Sequence, residues 1–199
     1  MKDIILEMEA YAEKENVPII EHDSIRYINS IIKDMDAKTV LEVGSAIGYS
    51  AILMALAKDN VKVITIEKDK NRYFECLNNI KKCNLEKQID VVFQDALELN
   101  LAGFKFDVIF IDAAKGQYEK YFEKFQYYLN DGGCIITDNM NFHGLVGHKE
   151  KAQTDNVKKL VEKIENYISY LKNKSDFDSE FYDIGDGLAV SKRKIQNDR

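Results

Sequence analysis

Two short segments carry the densest chemistry in this chain. "FIDAAKGQY" supplies Asp112 and Lys115, and "ITDNMNFHG" supplies Asp138 and Asn139. Each segment follows an apolar run with the character of a buried strand, so Asp112, Asp138 and Asn139 are expected to converge from neighbouring strand tips. Three oxygen donors, with no thiolate or paired histidine beside them, suit a hard cation such as Mg²⁺, which keeps coordination positions free for water and substrate oxygens. Lys115, three residues beyond a metal-type carboxylate, is placed to take a proton if the cation and burial depress its pKa. The plain alternatives are loop acids that cap turns and a lysine that is simply solvated.

A second set of residues lies upstream. "VLEVGSAIGYS" ends a strand in Glu42, and Gly44 and Gly48 then turn the chain into an apolar helix that opens near Ser50. The spacing is G-x-x-x-G, not the G-x-G-x-x-G of dinucleotide sites, and no Gly-Lys-Ser/Thr follows to cradle a triphosphate. Glu67 closes the next strand in "ITIEKDK", where an acid commonly takes both ribose hydroxyls. Asp95 closes the third in "FQDA", within reach of an adenine amino group. A glycine turn with two strand-tip acids and no pyrophosphate clamp describes a nucleoside carrying a cationic group, and S-adenosylmethionine fits better than NAD.

These residues need a scaffold that brings successive strand ends together. From residue 38 the sequence alternates short apolar runs ("TVLEVG", "VKVITIE", "IDVVFQ", "FDVIFID", "GGCIITD") with helical patterns near 49–58, 69–83, 116–130 and 153–172. Strands this apolar are buried on both faces, which predicts an α/β, doubly wound, Rossmann-like parallel sheet. "FDSEFYDIGDGLAVSKRK" predicts an antiparallel hairpin around a tight "GDG" turn, so the sheet ends in a reversed C-terminal strand. Two amphipathic helices, at residues 2–15 and about 23–35, precede the sheet, with Pro18 marking a bend between them. Residues 1–199 are expected to form a single domain, with a helical segment over 1–36 and an α/β core over 37–192. Ligands in such sheets bind beyond the carboxyl ends of the strands, where the strand order switches.

Bulk properties narrow the classes. With 199 residues, 45% of them hydrophobic and 31% charged, the chain can bury a sizeable core. No apolar run reaches bilayer length, and the acidic start "MKDIILEMEAYAEK" has no targeting character, so a cytoplasmic location with no membrane partner is expected. Cys76, Cys83 and Cys134 lack metal-type spacing and read as packing thiols. A net charge of −6 argues against a generally basic nucleic-acid binder but leaves room for a local patch.

"VLEVGSAIGYSAILMA", "ITIEKDK", "FIDAAKGQY" and "TDNMNFHG" together resemble the cation-dependent S-adenosylmethionine O-methyltransferases of the catechol and caffeoyl-CoA type, over roughly residues 5–192. "MEAYAEKENVPII", "IDAAKGQY" and "IGDGLAVSKRK" look most like the branch that methylates 5-hydroxyuridine at the wobble position of tRNA. The resemblance implies a class I methyltransferase sheet. It implies Asp112, Asp138 and Asn139 as metal ligands, Lys115 as the catalytic lysine, and cofactor contacts from Ile20, Ser50, Glu67, Asp95 and Ala96. Glu42, Gly44 and Asp112 complete the expected cofactor set. The expected acceptor is the 5-hydroxyl of 5-hydroxyuridine in a tRNA anticodon loop, yielding 5-methoxyuridine, and the expected assembly is a homodimer. The alternatives are a small-molecule enzyme acting on catechol-like vicinal diols and a non-catalytic cofactor-binding module. His143 and His148 are candidates to face substrate. Tyr118, Tyr121, Tyr127 and Tyr128 are expected in core or interface. Lys149, Lys151 and the ending "SKRKIQNDR" offer positive charge for RNA phosphates.

Overall fold

The computed structural model describes residues 1–194 and contains one seven-stranded mixed sheet of order β3-β2-β1-β4-β5-β7-β6. Its strands are β1 (Thr39–Val43), β2 (Lys62–Glu67), β3 (Ile89–Phe93), β4 (Phe106–Ile111), β5 (Leu129–Thr137), β6 (Phe177–Tyr182) and β7 (Leu188–Arg193). The first five run parallel, and β7 pairs antiparallel with both β5 and β6, as the hairpin pattern predicts. The order reverses between β1 and β4, so their carboxyl ends open a crevice at the middle of the sheet.

The helices are α1 (Lys2–Glu15), α2 (His22–Asp34), α3 (Tyr49–Ala55), α4 (Lys70–Lys82), α5 (Tyr118–Phe125) and α6 (Asp155–Asn173). One face of the sheet carries α1 to α4, packed through Met8, Ile28, Ile32, Ile52 and Ile80 against Val40, Val63 and Val108. The other carries α5 and α6, packed through Phe122, Phe125, Ile164 and Leu171 against Leu41, Val43 and Ile109. Alternate strand residues thus serve opposite layers, which explains why the central strands β1 and β4 read as almost continuously apolar. Ile25, Ile28 and Ile32 recur at helical spacing and seat α2 in the core. Truncating a fully buried isoleucine such as Ile28 to alanine costs about 2–5 kcal/mol.

Two expectations change. The pattern near 116–130 is not one helix: a 3-10 turn at Lys115–Gln117 precedes α5, and a second at Gln126–Tyr128 follows it. The reason lies downstream, where β5 begins at Leu129 and claims the end of the apolar run. The hairpin turn is also wider than "GDG". Asp183–Gly187 connects β6 to β7, because Gly187 O accepts the Met140 amide and Asp186 O accepts the Asn141 amide, at 2.9 and 2.8 Å. Tyr118 and Tyr121 are buried in the core, as expected, and Tyr127 is exposed on the single chain. All three thiols are free and buried. Among the described residues no helix is long and apolar enough to cross a membrane. The last part of the basic ending, residues 195–199, lies outside the described residues.

Candidate active site

The carboxyl ends of β1 to β5 and the strap between α1 and α2 enclose a cavity of about 470 Å³. The strap arises locally. Asn16 adopts a left-handed conformation that ends α1, the Val17 amide returns to Ala12 O, and Pro18 prevents the helix from resuming. Pro18 to Glu21 then run along one wall. Of the expected cofactor residues, Ile20, Gly44, Ser50, Glu67, Asp95, Ala96 and Asp112 line this cavity, as do Lys115, Asp138 and Asn139.

Glu42 does not line it. Strand parity points its side chain under α3, where it is fully buried and accepts hydrogen bonds from the Ser50 and Thr65 hydroxyls. Burial pushes its pKa up to about 7 against the pull of those two hydroxyls, and Asp112 and Glu67 push it further in the same direction. Its contact with the cavity is made through Ser50.

Glu67 is held by backbone alone. Its carboxylate accepts the amides of Ala46, Lys68 and Asp69 at 2.9, 2.9 and 2.8 Å, which fixes it at the β2 tip. Asp95 accepts the Leu97 amide at 2.9 Å and pairs with Lys68 at 3.2 Å. The Leu97 amide is the main influence holding its carboxyl below the usual range; partial burial opposes it, and Lys68 assists. Gly44 is required by packing: at its φ of +101° a Cβ would lie 2.3 Å from the Asp112 carbonyl oxygen.

At the far end of the cavity, Asp112 and Asp138 extend β4 and β5. Burial raises the pKa of both. For Asp138 the neighbouring Asp112 carboxylate adds to the effect, and the value reaches about 8. Asn139, at a left-handed φ of +61°, turns its Oδ1 to accept from Lys115 Nζ. Phe142 and His143 are also left-handed, at +43° and +56°, so unusual backbone gathers in this loop. His143 lines the cavity, whereas His148 does not.

Two carboxylates that resist ionising together, beside an amide oxygen already drawn to a lysine ammonium, form a donor set that a divalent cation would satisfy. Among the described residues no three His, Cys, Asp or Glu side chains gather to hold a metal unaided, so such a cation depends on the Asn139 amide and on added oxygens.

Sequence reasoning missed Asp186. It sits on the β6–β7 connection, is buried, lines the same cavity and bonds to Asn139 Nδ2 at 3.3 Å. The "GDG" triplet was its only signal, and that was absorbed by the turn expectation.

The chain matches the family model described as O-methyltransferase over residues 3–194. It is 32% identical to a caffeoyl-CoA O-methyltransferase of Populus kitakamiensis over 187 residues, covering 89% of this chain and 78% of the relative. A crystal structure from Staphylococcus aureus, provisionally assigned as a caffeoyl-CoA O-methyltransferase, is 33% identical with a TM-score of 0.91. That match covers 96% of this chain and 92% of that one. An O-methyltransferase from Bacillus cereus in complex with SAH, 22% identical over 96% of this chain and 91% of that one, shares the fold with a TM-score of 0.83.

Proposed function

Because the chain belongs to the O-methyltransferase family, we propose that it moves a methyl group from S-adenosylmethionine to a hydroxyl that has a second oxygen beside it, with a divalent cation at Asp112, Asp138 and Asn139. The observation that carries the metal-assisted reading is the pair of buried carboxylates at the β4 and β5 tips, both pushed toward protonation, in the same cavity as Glu67 and Asp95. Glu67 is oriented by three amides, two on Oε1 and one on Oε2, which leaves one lone-pair site on Oε2 for a ribose hydroxyl. Ser50 and Gly44 line the cavity beside the β1 tip and shape the bed for the rest of the cofactor.

A divalent cation at this position supplies a lowered hydroxyl pKa and a fixed orientation for two neighbouring oxygens. Lys115 stands within hydrogen-bond reach of Asn139 Oδ1, where its neutral amine could take the proton from the acceptor hydroxyl, and the ammonium so formed would then sit beside the oxyanion. The strap at Pro18 to Glu21 walls the cofactor end. Positioning and electrostatics then supply the acceleration, with no covalent enzyme intermediate.

Two acceptor classes present the required pair of oxygens: catechol-type small molecules, and 5-hydroxyuridine through its 5-hydroxyl and O4. The small-molecule class has the stronger support, because the P. kitakamiensis relative is named for caffeoyl-CoA. The tRNA reading draws on the resemblance of "MEAYAEKENVPII" and "IGDGLAVSKRK" and on the exposed cations Lys68 and Arg72 at the cavity. The test is a parallel transfer of labelled methyl to a catechol and to tRNA bearing 5-hydroxyuridine. Label confined to catechol supports the first reading. Salt-sensitive label in tRNA that exceeds the catechol rate supports the second. Cofactor binding without label in either would overturn both.

A further inference from the structure

Asn139 is the one expected metal ligand whose donor atom depends on which way an amide faces. Its carboxamide lies between two partners of opposite kind. Lys115 Nζ can only donate, so it meets Oδ1; the Asp186 carboxylate accepts, so it meets Nδ2 at 3.3 Å. The same carboxylate accepts the His143 amide at 2.5 Å through its other oxygen. Asp186 O and Gly187 O accept the Asn141 and Met140 amides, so the β6–β7 connection is fastened along the whole segment that follows Asp138. Asp186 is 6% exposed, and the two segments meet so closely at the next residue that a Cβ on Gly187 would lie 2.7 Å from the Asn141 nitrogen.

We infer that Asp186 is a positioning residue that holds the Asn139 carboxamide with its oxygen toward the cation site and its nitrogen away from it. This rests on the reading that Asp112, Asp138 and Asn139 hold a divalent cation. Asp186 satisfies two donors with two oxygens. An asparagine there has one oxygen and one NH₂ group, and the His143 backbone N–H cannot turn round whereas the Asn139 side chain can. In Asp186→Asn, therefore, the new oxygen serves His143 and the new NH₂ faces Asn139, so either orientation of the Asn139 amide now sets two donors against each other, at residue 186 or at Lys115, and its oxygen is no longer held toward the cation site. Replacing Asn139 by aspartate removes the difficulty, because a carboxylate accepts from the introduced NH₂ through one oxygen and keeps the other for the cation. Exchanging the two side-chain types should therefore restore what the single change destroys.

The experiment is a Mn²⁺ titration of the full chain, followed by the electron paramagnetic resonance of free Mn²⁺. The set comprises the parent, D186N, N139D and the double variant, with thermal melting and S-adenosylhomocysteine binding as checks on the fold. D186N is expected to bind Mn²⁺ roughly 10–100-fold more weakly, the usual consequence of disturbing a ligand's supporting hydrogen bond. D186N/N139D is expected to return to within roughly threefold of the parent, a non-additivity that a merely structural role would not produce. Unchanged Mn²⁺ affinity in D186N overturns the inference and leaves the metal reading intact. Failure of the double variant to recover also overturns it, and points instead to Asp186 as a direct ligand. A parent chain that binds no Mn²⁺ overturns the metal reading and this inference together.

Discussion

Replacing Glu42 by glutamine should make the protein more stable, and by an amount that depends on pH. Glu42 has no exposed surface, and its carboxyl is raised from 4.5 to about 7, chiefly by burial. A carboxyl whose folded pKa lies above its unfolded value binds more protons in the folded state between the two, so stability falls as pH rises through that window. The penalty is absent well below pH 4.5, grows between 4.5 and about 7, and is complete above that. At about 1.4 kcal/mol per pKa unit it amounts to about 1 kcal/mol at pH 5 and about 3 kcal/mol at pH 8.

Glutamine keeps the shape and can still bond Ser50 and Thr65, whose hydroxyls both donate and accept. The gain from E42Q should therefore be about 2 kcal/mol larger at pH 8 than at pH 5. For a chain of this size that is about 4–8 °C of additional Tm. Thermal melts of parent and variant at the two pH values measure it directly, and taking the difference cancels the parallel contributions of Asp112 and Asp138. An equal gain at both pH values, or a loss at pH 8, would refute the reasoning.

Lys115→Met should abolish turnover while tightening Mn²⁺ binding several-fold (on the order of 1 kcal/mol), because it removes the ammonium that competes for Asn139 Oδ1; equilibrium titration beside single-turnover kinetics separates the two effects. Glu67→Gln should weaken S-adenosylhomocysteine binding by about 1.5–3 kcal/mol with the cation affinity unchanged, read by calorimetry. Gly44→Ala should lower Tm and impair cofactor and cation binding together, since its Cβ would force the Asp112 carbonyl to move; the strain of a non-glycine residue in such a conformation alone costs about 1–3 kcal/mol. The homodimer implied by the resemblance is checked by sedimentation equilibrium, with a mass of one chain as the contrary result.

The β-α alternation was legible because the central strands β1, β4 and β5 are buried on both faces and each helix on one, so an apolar run of strand length alternates with a helical stripe. Strand-tip chemistry was legible for a related reason. In a parallel sheet the residues just after the last apolar position point to the ligand end, which identifies Gly44, Glu67 and Asp112 directly and Asp138 one step on, after Thr137. Glu42 shows where that reasoning stops. It lies one residue inside β1, and parity with Val40, not proximity to the strand end, decides that it faces α3. Asp186 was illegible because its role depends on a contact with Asn139 across 47 residues and on the turn being opened by backbone bonds to 140 and 141. The splitting of the 116–130 pattern was hidden because apolar residues of a short helix and of the strand after it merge into a single run.

The central claim is cation-assisted methyl transfer to one of two adjacent oxygens. Transfer of labelled methyl from S-adenosylmethionine should be measured to a catechol and to the matching single phenol, with Mg²⁺, with EDTA, and with Mg²⁺ restored, in the parent and in Asp138→Ala. Label is expected in the catechol alone, lost with EDTA, recovered with Mg²⁺ and absent in D138A even though that variant still binds S-adenosylhomocysteine. Equal labelling in EDTA, or of the single phenol, would contradict it.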